Sequence, residues 1–90
     1  MMENLTVPAT LDSLVAISAF ITDATRRAGL DEHAAWQVEL AVDEAATNII
    51  QHGYDASQAG TIELSWQVDN GDLIVTLRDY GRRFSPDEVP

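Results

Sequence analysis

Glu44 and Asn48 stand four residues apart in a stretch with helical periodicity, so their side chains rise one above the other, roughly 6 Å apart at Cβ. A carboxylate accepts protons and hydrogen bonds, and an amide both donates and accepts, so the two make a polar stripe. Leu40 and Ala41 continue that stripe toward the N-terminus and Gln51 and His52 toward the C-terminus, which sets the pair beside apolar positions rather than on a fully solvated face. The plainer alternative is an ordinary surface pair on the back of a helix. A second carboxylate, Asp79, falls by alternation on the same inward side as Leu73, Val75 and Leu77, where an ionised group is costly without a donor. Tyr80 and Gly81 follow it, and a glycine there lets a backbone come close to a flat ligand. The competing reading is a strand that ends in a turn, with Asp79 capping local amides.

Other candidates are weaker. His52 reads as a helix C-terminal residue favoured by the dipole, with no second imidazole or carboxylate at metal-ligand spacing. Ser13, Ser18 and Ser85 have no histidine near them to act as base, which excludes a catalytic triad. Arg82 and Arg83 are either phosphate ligands or solvated loop residues, and Arg78 alternates to the opposite face of its strand from Asp79.

The elements that must position these residues follow from periodicity. Asn4 to Ala9 alternates weakly and holds Pro8, which suits an edge strand or an extended lead-in. From Leu11 onward Leu14, Ile17, Ile21 and Ala28 recur at helical spacing, with Thr10 or Asp12 as N-cap and Gly29 as the stop. Asp31 caps a second helix running to about His52 and ending at Gly53, with Val38, Val42, Ala45 and Ile49 as its apolar stripe. A polar loop from Asp55 to Gly60 leads to a strand in which Ile62, Leu64, Trp66 and Val68 alternate with polar residues. Asn70-Gly71 suits a two-residue type I′ turn, so Asp72 to Asp79 returns as the partner strand. That register sets Val68 opposite Leu73, Trp66 opposite Val75, Leu64 opposite Leu77 and Ile62 opposite Asp79. Trp66 reads as core, and Trp36 as packing or a partner contact.

Fifteen acidic residues against five arginines give a net charge of −10. Such a surface repels nucleic-acid phosphates and anionic membranes and favours a basic protein partner. There is no cysteine, hence no disulfide or thiolate metal site. The longest apolar run, Leu14 to Ile21, is too short to span a bilayer, and Met1 to Thr6 lacks the pattern of a secretory signal, which leaves the cytoplasm as the expected compartment.

Two segments together resemble a known family. Glu44-Ala45-Ala46-Thr47-Asn48-Ile49-Ile50-Gln51-His52-Gly53-Tyr54 looks like the N-box of the bacterial anti-sigma factor serine kinases, members of the GHKL (Bergerat-fold) ATPases. Arg78-Asp79-Tyr80-Gly81-Arg82-Arg83-Phe84-Ser85-Pro86 looks like their first glycine box. The resemblance implies that Asn48 coordinates the Mg²⁺ bridging the ATP phosphates, and that Asp79 accepts a hydrogen bond from the adenine amino group. Gly81 would lie under the base, and Glu44 would take the proton from a serine or threonine hydroxyl of a protein substrate. It further implies a sigma factor and an anti-sigma factor antagonist as protein partners, met through the first helix and the early strand.

The expected architecture is α+β: one domain over residues 1–90, with two helices on one face of a mixed or antiparallel sheet and the ATP pocket between the second helix and the sheet. It corresponds to the front part of the family's domain, without the lid, the second glycine-rich segment and the closing strands. Phosphoryl transfer depends on positioning, so adenine recognition should survive such a loss better than catalysis. The rival expectation is therefore a truncated, catalytically silent binding module of the same fold. An open sheet edge with Trp66, Val75 and Leu77 on its inner face leads us to expect a homodimer or exchanged elements.

Overall fold

Asn70 and Gly71 turn the chain in two residues because both hold positive φ, 52° and 83°, the conformation that a type I′ turn demands. The strands they join are β2 (Thr61–Asp69) and β3 (Asp72–Tyr80), paired antiparallel in the register expected, with Trp66 facing Val75, Leu64 facing Leu77 and Ile62 facing Asp79. The computed structural model describes residues 2–52 and 60–80, apart from the side chains of Met2, His52 and Tyr80. Ahead of the hairpin come β1 (Met2–Pro8), α1 (Ser13–Arg27) and α2 (Glu32–His52). β1 pairs antiparallel with β2, so the sheet order is β1-β2-β3 and every pairing among the described residues is antiparallel. The mixed sheet allowed by the sequence is thereby narrowed to an antiparallel one. Pro8 is the last residue of an edge strand, where its missing N–H costs least.

β1 also changes the expected exposed edge. Trp66 lies on the central strand and is 2% exposed, not on an open two-stranded edge. Its ring carries the Arg27 guanidinium 5.7 Å from the centroid. Glu3 holds that arginine at 2.9 Å from β1, and Asp23 lies 3.5 Å away one turn back along α1. The hydrogen bond to Glu3, and then its charge, raises the Arg27 pKa above its ordinary value. The indole Nε1 of Trp66 meets no acceptor among the described residues.

The helix ends follow their sequence signals unequally. Asp31 caps α2 as expected, its Oδ1 accepting the Ala34 N–H at 2.8 Å. Asp12 occupies the N-cap position of α1 but makes no side-chain cap bond. Backbone turns serve instead, with the Ser13 and Leu14 N–H groups donating to the Thr10 and Leu11 carbonyls at 3.0 and 3.1 Å. At the other end Gly29 takes φ +75°, and Gly29 and Leu30 donate back to Arg26 and Thr25, the double bond of a Schellman close.

The core lies between the helices and one face of the sheet. Ile17 and Ile21 of α1, Ala46 and Ile50 of α2, and Val7, Ile62 and Leu64 of the sheet form a single buried cluster. Burying each large aliphatic side chain contributes about 1.5 to 3 kcal/mol. The expected α2 stripe is turned by one residue: Val38, Val42 and Ile49 pack against the core, but Ala45 is exposed and Ala46 takes its place. Among the described residues no helix is long and apolar enough to cross a membrane.

Candidate functional site

α2 presents three flanks, and their identities decide where chemistry can occur. Successive residues advance by roughly 100° around a helix. Val42 and Ala46 mark the flank on the core, while Glu39, whose Oε1 accepts the Thr22 hydroxyl of α1 at 2.9 Å, marks the flank toward α1. The side away from α1 therefore carries Ala41, Ala45 and Asn48. α1 is itself tied to β1, at one edge of the sheet, by Arg27 and Glu3.

Glu44 and Asn48 are both exposed, together with Ala41 and Ala45. The expectation that the pair is embedded among apolar neighbours is thus corrected: the outer side of α2 is solvated. The two line one shallow depression of about 370 Å³ with Asp43, Thr47 and Gln51. Asp79 is not among the described residues that line it. Its face is as expected, since it sits directly opposite Ile62, but its burial is not: Asp79 is exposed. The helices bury Ile62 and Leu64 on β2 and leave Leu77 and Val75 on β3 only partly covered, so the carboxylate at the strand end stays hydrated and needs no protein donor.

Both groups lie toward the same end of the molecule. Ile50 and Gln51 share a hollow with Thr10, Leu11 and Asp12, just past the end of β1. The Ala9 N–H donates to the Gly60 carbonyl at 2.8 Å where β2 begins, and Thr61 is paired with the last residue of β3. The C-terminal half of α2 and the end of β3 thus lie at one end of the sandwich, where Ala41, Ala45 and Asn48 are exposed along α2. Gly81, Arg82, Arg83 and the loop from Asp55 lie outside the described residues, as does the side chain of His52.

That end offers exposed oxygens on Glu44 and Asn48 and an exposed carboxylate at the end of β3. The model of the histidine kinase-like ATPase domain matches residues 7–90. A serine-protein kinase RsbW from Halalkalibacterium halodurans is 28% identical over 84 residues, covering 93% of this chain and 51% of that protein. An anti-sigma F factor from Clostridium botulinum is 35% identical over 68 residues, covering 76% of this chain and 45% of that protein. Another from Anoxybacillus flavithermus is 32% identical over 68 residues, covering 76% of this chain and 44% of that protein. The chain therefore spans about half the length of the relatives it matches.

Proposed function

Because the chain belongs to the histidine kinase-like ATPase domain family, we propose that it is the nucleotide-binding front part of an anti-sigma factor serine/threonine kinase, one that binds ATP with Mg²⁺, holds a sigma factor and phosphorylates an anti-sigma factor antagonist. The observation that carries this reading is the family match over residues 7–90, which runs through both the Glu44–Asn48 turn and Asp79.

The residues present fit the nucleotide and its ion. Mg²⁺ keeps several waters and takes few protein ligands beside phosphate oxygens, so one exposed amide oxygen on Asn48 suits it. Bound ATP supplies the transferable phosphoryl group, with Mg²⁺ neutralising its charge. Asp79, exposed at the end of β3, would accept a hydrogen bond from the adenine amino group, and the resemblance assigns the base contact to Gly81, outside the described residues. Glu44, one turn from Asn48 and exposed to solvent, would take the proton from a substrate hydroxyl. A homodimer belongs to the same reading, since the outer edge of β3 pairs with no other described strand.

Calorimetric titration with a non-hydrolysable ATP analogue and Mg²⁺ tests this directly. Saturable binding is expected. Removing the charge-assisted acceptor in Asp79→Asn should weaken it about tenfold or more, and Asn48→Ala should abolish its dependence on Mg²⁺. Binding without phosphate incorporation into an antagonist protein would favour the silent-module alternative, and absence of any binding removes the nucleotide reading altogether.

A further inference from the structure

The outward face of the α1–α2 pair carries apolar surface that the proposed nucleotide site does not use. Val15 of α1 is 77% exposed, and Trp36 and Leu40 of α2 are 58% and 41% exposed, three of the six large exposed hydrophobic side chains among the described residues. Single exposed hydrophobics are ordinary, but Trp36 and Leu40 lining one groove between two packed helices mark a candidate contact surface. Between the helices runs a groove of about 330 Å³ into which Trp36, Leu40, Glu39 and Asp43 project, with Ile17 and Ile21 at its floor. His33 stacks on the Trp36 ring, centroids 6.3 Å apart and planes 22° apart, and steadies it one turn into α2.

We propose that this groove docks a basic amphipathic helix of a partner protein, whose apolar side covers Trp36, Leu40 and Val15 and one of whose arginine or lysine side chains enters between Trp36, Glu39 and Asp43. Charge selects this occupant. An aromatic face beside two carboxylates attracts a cation, and Glu39 keeps acceptor capacity beyond the single hydroxyl it receives from Thr22. Glu39 and Asp43 repel the phosphates of nucleic acid, and a second copy of this acidic chain, whose pairing is proposed above at the β3 edge, offers only five arginines and no lysine to meet them. The inference rests on the reading above only in expecting a protein partner. It involves no nucleotide, so the two can fail separately.

The test uses the whole chain without ATP and a synthetic helical peptide with leucine on one side and arginine on the other, against a control with glutamate in place of arginine. Trp66 is buried, so a change in tryptophan emission on binding reports Trp36. The arginine peptide should bind, weaken as salt rises, and shift the backbone amide resonances of α1 and α2 around Ser18, Glu39 and Asp43. Trp36→Ala and Asp43→Asn, both at exposed positions, should each weaken binding about tenfold, while Asp72→Asn at the far hairpin should leave it unchanged. Equal weakening by Asp72→Asn, or resonance shifts spread over the acidic surface, reduces the effect to general charge attraction and overturns the proposal. Binding of the glutamate peptide, or self-association of the chain lost on Trp36→Ala, overturns it as well.

Discussion

Glu44 and Asn48 show how little a helix spacing says until its flank is known. Four residues apart guarantees adjacency, and the structure keeps both exposed in one depression. Adjacency alone does not separate a base from a binding residue, but kinetics does. If Glu44 takes the substrate proton, Glu44→Gln should lower phosphate transfer to an antagonist by about 10²- to 10⁴-fold while ATP-analogue affinity stays within about twofold. Equal loss of affinity and transfer would move Glu44 from proton transfer to nucleotide binding. Asp79 teaches the complementary point. Its face was legible from alternation because a strand's period is exact, whereas its exposure depended on how far the helices reach across the sheet, which no local pattern records.

The caps separate two aspartates that look alike in sequence. Asp31 accepts the Ala34 N–H, and Asp12, also just before a helix, accepts none. Asp31→Ala should therefore destabilise the protein by about 1 kcal/mol, and Asp12→Ala by much less, measured by urea denaturation. Equal losses would mean that Asp12 acts through charge near the helix start rather than through a cap. The hairpin was the most legible element, since Asn70-Gly71 specifies turn type and loop length together and these set the register of all nine pairs. The α2 stripe was less legible. Ala45 and Ala46 are chemically identical neighbours, and only the position of α1 on one side and of the sheet below decides that Ala46 is buried and Ala45 is exposed.

At the scale of the whole molecule, one small core holds everything, because a chain this short buries only roughly 60 to 65% of the surface it exposes when unfolded. Leu64 lies on the central strand, fully buried between both helices and its neighbours. Leu64→Ala should cost about 2 to 5 kcal/mol, a large part of the total for such a domain, with a parallel fall in the urea midpoint. A loss below about 1 kcal/mol would show that the site collapses onto the smaller side chain. The sequence alone determined the strand, helix, helix, hairpin order, the register of the hairpin, the Asp31 cap and the two motifs that resemble the family's, since each is set by neighbours within a few residues. Only the tertiary structure decided that β1 makes β2 the central strand, that Asp79 is exposed, and that Ala46 rather than Ala45 is buried. Those outcomes depend on how segments distant in the chain share a single limited core, and burial is a property of that arrangement rather than of any residue's type.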